Sequence, residues 1–287
     1  MKKTVLVLFL ITVVLAASAE VLKAPGKNFN FQIVPMHFLG QSPKVYMRMY
    51  ISIPVVELGI EKEAKTKKGE SVFFVNVEYS VQVRTASETV NKESWKQKTI
   101  FSRYNVRTHI MNFYDCFVPE ASPYEIEVTV TDLNSKKEET LVCTIQSPVF
   151  NDFSVSSFFW ATQIRKAEPD DERNYVFNSL YFKPIVERSL FSPNFPMFYA
   201  DIYNLTDDGN GMYPYSVEYD IMEGGKSIYR FHSEKTVDMP SVVHISEPPI
   251  FDIFNLLPKG TYEIKVTIKD MVSEKEISVN EAFEKID

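Results

Sequence analysis

Two stretches of this chain write almost the same strand. Residues Pro123 to Glu139 read PYEIEVTVTDLNSKKEE, and Thr261 to Ile277, 138 positions further on, read TYEIKVTIKDMVSEKEI. In the first, Tyr124, Ile126, Val128 and Val130 alternate with Glu125, Glu127, Thr129 and Thr131. In the second, Tyr262, Ile264, Val266 and Ile268 alternate with Glu263, Lys265, Thr267 and Lys269. Successive side chains of a strand point to opposite faces, so each stretch predicts a strand with one dry and one wet face. A helix would scatter the same apolar residues around its circumference. Each strand then meets an aspartate with a serine three residues on, Asp132/Ser135 and Asp270/Ser273. Short oxygen-bearing side chains there satisfy the amides of a tight turn. No ligand cluster surrounds either aspartate in the sequence, which favours the turn over a metal site.

The repetition extends upstream. Val77, Tyr79 and Val81 in VEYSVQV match Val217, Tyr219 and Ile221 in VEYDIME at an offset of 140, and VYMRMYISI (Val45 to Ile53) and MFYADIYNL (Met197 to Leu205) each read as a further strand. A slowly changing offset is what insertions in loops produce, because loop length is cheap to change. The expected fold is therefore all-β: two tandem antiparallel immunoglobulin-like β-sandwich domains, residues 25–150 and 151–287. Short alternating runs punctuated by Pro, Gly, Asn and Asp, and an aromatic content of 14%, suit such cores. NEAFEKI, from Asn280, is expected to form a short terminal helix.

The first nineteen residues, MKKTVLVLFLITVVLAASA, begin with Lys2 and Lys3, continue through an apolar run to Ala17, and end on small residues at Ala17 and Ala19. That is the form of a signal peptide cleaved before Glu20. The run is shorter than the roughly 20 residues a membrane-spanning helix needs, although a retained anchor is the alternative. With no later apolar stretch of that length, export to the periplasm or cell surface of a bacterium is expected, without a membrane span after cleavage. Losing two lysines takes the formal net charge from −7 to −9. So acidic a chain repels phosphate backbones, which argues against nucleic-acid binding. The lysine-dense EKEAKTKKGE, from Glu61, is interleaved with glutamates and reads as a solvated loop.

Chemistry is harder to find. Both cysteines, Cys116 and Cys143, lie in the first unit with the Tyr124 strand between them. In an exported protein the pair is a candidate disulfide; two buried free thiols are the alternative. His37, His109, His232 and His244 show no zinc-ligand spacing, and neither a Gly-x-Ser-x-Gly elbow nor a Walker loop is present. No catalytic residue, metal ligand or cofactor is therefore assigned. TDDGNGMYPYS, from Thr206, invites a calcium reading, but Gly209 and Gly211 stand where oxygen ligands would be needed, and a turn fits better. Phe158, Phe159 and Trp160 are consecutive, so one strand cannot bury all three on one face. Either both faces are covered at a packed domain junction, or an aromatic is left as a partner contact.

YVFNSLYFKPIVERSLF, MFYADIYNL, YSVEYDIMEGGKSI and FDIFNLLPKGTYEIKVTIKDMVSEKE, led in by FSVSSFFWATQI, together resemble the tandem sandwich region of the GWxTD-domain proteins, exported bacterial proteins of largely unassigned function. The C-terminal motif that names that family is absent: Trp95 follows Ser94 and Trp160 follows Phe159. No functional residue is carried over. The leading expectation is a non-enzymatic interaction or structural module of the cell envelope with a protein partner there. A carbohydrate- or small-ligand-binding module using sandwich-end loops or exposed aromatics comes second, and an enzyme with a site between the domains third.

Overall fold

The computed structural model describes residues 14–15, 21–41, 43–63, 72–101, 109–185, 189–190, 197–238, 243–247, 254 and 256–286. Of the first nineteen residues, only Val14–Leu15 are among them; of EKEAKTKKGE only Glu61–Glu63 are, and these form a short strand paired with residues 72–74 instead of the expected loop. Strands dominate, arranged as four sheets. One sheet runs Leu22–Lys23, Gln32–Phe38, Lys44–Pro54, His109–Pro119. It faces a second, ordered Lys137–Gln146, Pro123–Asp132, Val72–Arg84, with Thr89–Phe101 on the far edge of Val72–Arg84. Their inner faces meet in a core that includes Ile33, Met47, Ile51, Val81, Tyr124 and Val128.

The second half repeats the plan. Glu276–Lys285, Gly260–Asp270, Tyr213–Glu223 and Lys226–Val237 form an antiparallel sheet with the same strand order as the second sheet of the first half. It faces a sheet in which Met197–Tyr203 lies between Phe159–Lys166 and Val243–Glu247. The core between them contains Trp160, Phe198, Val217, Tyr219, Val266 and Phe283. Val14–Leu15 and Ser189–Leu190 add two-residue parallel pairings to the edge strand Glu276–Lys285.

The register refines the repeat. Val77 pairs with Asp132, whereas Tyr215 pairs with Asp270, so the hydrogen-bonded equivalent of Val77 is Tyr215 and not Val217. The VEY match thus stands two residues out of structural register. A shift of two leaves every side chain on its own face, and Tyr79 and Tyr219 both remain in their cores.

The two aspartate turns do more than reverse the chain. Asp132 is fully buried; its carboxylate takes the Asn134 amide at 3.0 Å, the Ser135 hydroxyl, and the amide of Gly59 at 2.6 Å. Asp270, also fully buried, takes the amides of Val272 and Ser273, the Ser273 hydroxyl at 2.8 Å, and both the amide and hydroxyl of Thr206. Gly59 follows Lys44–Pro54 and Thr206 follows Met197–Tyr203, strands of the sheet that faces each aspartate's hairpin, so each aspartate ties its hairpin to a chain leaving the opposite sheet. Burial opposes the charge of Asp270, but the bonds from Thr206, Ser273 and Val272 outweigh it and hold the carboxyl below the usual range. Gly59 is held so close that an added Cβ would stand 2.9 Å from the Ser135 nitrogen. Gly59→Ala is expected to cost about 1–3 kcal/mol in urea unfolding, while Gly209→Ala, which meets open space but has φ of +93°, tests backbone strain alone.

A third core joins the halves. Val34, Met36, Phe38 and Tyr50 of the first sandwich pack against Phe159, Ala161, Phe182 and Tyr199 of the second, so the two inner sheets lie back to back. This settles the aromatic triplet. Phe158 and Trp160 enter the second core, Phe159 enters the third, and none is more than 3% exposed. The partner-contact reading of these three residues is corrected: both faces of their strand are covered.

Two other expectations change. The terminal helix is a strand, Glu276–Lys285, whose Ile277, Val279 and Phe283 alternate inward; Phe283 packs on Phe254 and Tyr262. Cys116 and Cys143 are free thiols, with no bridge between them. Both stand in the electrostatic surroundings of the buried Tyr124 hydroxyl, on sheets that face each other across the core. Burial pushes the Cys116 thiol up to about 12. Thiol labelling of the folded protein at pH 8 is expected to modify Cys143 well before Cys116, and denaturation without reductant to expose two reactive thiols.

Candidate functional site: a cleft between the two sandwiches

A cleft of about 650 Å³ opens where the halves meet. Phe38, Leu39, Gly40, Gln41, Tyr46, Arg48 and Phe117 line it from the first sandwich, and Val176, Phe177, Asn178, Asp201 and Tyr203 from the second. Local geometry sets each wall. The hairpin between Gln32–Phe38 and Lys44–Pro54 turns so tightly that a Cβ on Gly40 would lie 2.4 Å from the Lys44 carbonyl oxygen. Opposite, Asn178 and Ser179 form a two-residue hairpin loop with φ of +48° and +63°, the left-handed pair that suits asparagine, and this projects Phe177 into the junction.

Arg48 is the centre of the polar floor. Only 5% exposed, it donates from Nε and Nη2 to the two carboxylate oxygens of Asp115, at 2.8 and 2.7 Å, and from Nη1 to the Val176 carbonyl at 2.9 Å. Its guanidinium lies 4.6 Å from the Phe113 ring centre and 4.7 Å from that of Phe177, which in turn stacks on Tyr46 and packs on Phe38. Burial opposes its charge, but the Asp115 carboxylate outweighs that and keeps the guanidinium protonated.

Asp201, 2% exposed, accepts from the Tyr203 hydroxyl at 3.1 Å, and that hydroxyl accepts the Leu39 amide at 3.2 Å. Burial, reinforced by the Asp201 charge, pushes the Tyr199 and Tyr203 hydroxyls far above the ordinary range, so both stay protonated donors. In the strand register Asp201 stands opposite His244.

A third polar bridge lies deeper. His37 Nε2 is 2.5 Å from the Tyr124 hydroxyl of the first core, and Ser157, at the entry to the second sandwich, takes the His37 amide on its Oγ at 2.9 Å. The same Oγ is 3.5 Å from His37 Nδ1. Desolvation pulls the imidazole down to about 4, so it is neutral near pH 7. A serine beside a histidine suggests a nucleophile and its base, but both residues are at most 4% exposed and the serine oxygen is already bonded to backbone. The pair joins the two halves.

The sites expected from sequence lie elsewhere. The carboxylates of Asp207 and Asp208 accept the amides of Gly209, Asn210, Gly211 and Met212, which makes TDDGNGM a self-satisfied turn. Among the described residues no group of three His, Cys, Asp or Glu side chains could hold a metal ion, and no helix is long and apolar enough to cross a membrane. Arg48, Asp115 and Asp201 were not singled out in advance. The available signal was a lone charge inside otherwise apolar runs, VYMRMYISI and MFYADIY.

No protein-family model matches the chain, and no curated protein matches it. Among solved structures it is similar to red sea bream transglutaminase at 8% identity and a TM-score of 0.25. That likeness covers 89% of this chain and only 31% of the transglutaminase chain, so this chain spans under a third of that protein's length. Agreement at that level says nothing about activity.

Proposed function

We propose that the chain is an exported, non-enzymatic interaction module of the bacterial cell envelope, in which two sandwiches joined back to back present one stiff surface to a protein partner. One observation carries the reading. The polar groups at the junction are already engaged, and three of their bonds cross between the halves: Arg48 to the Val176 carbonyl, the Leu39 amide to Tyr203, and the His37 amide to Ser157. Such groups position a scaffold, whereas catalysis needs a nucleophile or base open to substrate. The leader and the resemblance to the GWxTD sandwich region support export.

The test uses a photo-crosslinking residue in place of exposed Leu39 or Phe117 in growing cells. One envelope protein crosslinked reproducibly from these sites, and not from the polar outer position Thr129, is the expected result. Hydrolysis of a glycan or peptide by the purified mature chain, lost on changing a single carboxylate, would sink the proposal. A second reading, a small-ligand-binding module, is favoured specifically by the cleft: it is concave, lined in part by aromatic side chains, and within the 300–1,000 Å³ range of small-molecule sites.

A further inference from the structure

We infer that the edge strand Lys226–Val237 of the second sandwich seats a second copy of this chain, which adds the same strand antiparallel so that one sheet runs across a two-fold axis. Each half ends its outer sheet in a long edge strand. Thr89–Phe101 pairs with Val72–Arg84, Lys226–Val237 pairs with Tyr213–Glu223, and among the described residues neither carries a further strand on its other side. Neither contains proline, so each presents a row of backbone donors and acceptors on which another strand can pair. The first edge is defended. Lys92, Lys96 and Lys98 stand on its outward row, opposite Gln82, Glu78 and Asn76. Pairing with its own copy about any centre from Ser94 to Gln97 sets lysine directly opposite lysine, which opposes association. The Gln97 carboxamide is also bonded to Asn112 of the facing sheet, at 2.7 Å.

The second edge lacks that defence and matches itself. Its outward row is Arg230, His232, Glu234 and Thr236. An antiparallel copy centred on His232 places Arg230 opposite Glu234 on both sides of the axis. Centres at Arg230 or Glu234 would oppose like charges, and a centre at Ser233 would leave Arg230 facing threonine. Arg230 has room for another carboxylate. Its Nη2 holds Asp220 at 2.7 Å and its Nε lies 3.6 Å from Glu218, while Nη1 has no bond among the described residues and the side chain is 57% exposed. Glu234 meets the His232 ring at 3.3 Å and is more exposed still. On the inward row the same centre brings Phe231 of the two copies to diagonal positions, within reach of aromatic side chains. A contact confined to one edge is smaller than a standard interface, so the dimer is reversible and concentration-dependent.

The test is sedimentation velocity of the purified mature chain from low micromolar to near-millimolar concentration, joined to cysteine cross-linking. A shift from monomer to dimer is expected across that range. His232→Lys puts on the axis the charge that guards the other edge, at a side chain about half exposed. It should retain the fold by circular dichroism and weaken association by about tenfold or more. In His232→Cys the two new thiols stand directly opposite each other, with Cα atoms about 4.5–5.5 Å apart and so within disulfide reach. Copper-catalysed oxidation by dioxygen is expected to give a covalent dimer of that variant. Thr236→Cys, set well away from its counterpart, should give none, and neither should the unaltered chain with its own Cys116 and Cys143. A monomer at every concentration would overturn the inference. So would a dimer that tolerates His232→Lys, or one that does not cross-link from His232→Cys, since its axis would lie elsewhere on the molecule.

Discussion

Alanine at Arg48 is expected to remove about 3 kcal/mol of stability and to uncouple the two sandwiches. The substitution deletes a two-point ion pair with Asp115, the bond to the Val176 carbonyl, and the cation between Phe113 and Phe177. Removing one partner of a buried pair costs roughly 3–5 kcal/mol, mainly because the other is left without compensation. The Asp115 side chain is 29% exposed, so water recovers part of that and the lower end applies. Lysine should restore little, since it lacks both the fork that matches a carboxylate and the plane that stacks on phenylalanine. The chain's two tryptophans make the uncoupling visible. Trp95 stacks on Tyr79 and Tyr114 in the first sandwich, and Trp160 sits in the second core. With Trp95 or Trp160 replaced by Phe, the remaining tryptophan follows one half through urea unfolding. In the parent the two transitions should coincide; with Arg48→Ala they should separate. Arg48→Met combined with Asp115→Leu should regain much of the loss, because a packed apolar pair avoids the desolvation cost. Coincident transitions and a loss below about 1 kcal/mol in Arg48→Ala would show that Arg48, through its contacts with Val176 and Phe177, does not join the halves.

That latch marks where reading the sequence stops working. Alternation is a local signal, so Tyr124–Val130 and Tyr262–Ile268 declared their dry faces without help from the rest of the chain. The turn at Asp132 and Ser135 was equally legible, but its bond to Gly59 was not, since nothing in a four-residue pattern names a partner from the opposite sheet. The third core had a signal that went unused. QIVPMHF and MFYADIY do not alternate, and their strands are buried on both faces, as strands between two packed layers must be. The terminal segment failed for the opposite reason: NEAFEKI is rich in helix formers, yet the edge of the sheet and the pocket for Phe283 outweigh propensity. The cleft was invisible, because its two walls come from distant segments, of which Phe117 and Val176 are the nearest in sequence, and no short pattern can show them meeting.

Acidification should loosen the same junction through His37. The imidazole is buried against Tyr124 and Ser157, and desolvation lowers it from 6.5 to about 4. It is therefore neutral in the folded protein and protonated in the unfolded chain once the pH falls below about 6.5. The unfolded state binds the extra proton, so its contribution is present in full above pH 6.5 and is lost progressively as the pH falls toward 4. A shift of that size corresponds to about 3 kcal/mol at the bottom of the window. Among the described residues no carboxylate bonds to the ring to share the charge; its hydrogen-bond neighbours there are a hydroxyl from each half of the molecule. Asp270 works in a lower window, because a depressed carboxyl loses its contribution only as the pH drops below the ordinary carboxylate range. The two can thus be told apart. His37→Gln, which can keep a bond to the Tyr124 hydroxyl but cannot titrate, is expected to cost stability at pH 7 and to flatten the decline between pH 6.5 and 4.5. Equal slopes for the parent and His37→Gln across that interval would show that the buried ring does not govern the acid response, whatever Asp270 does below pH 4.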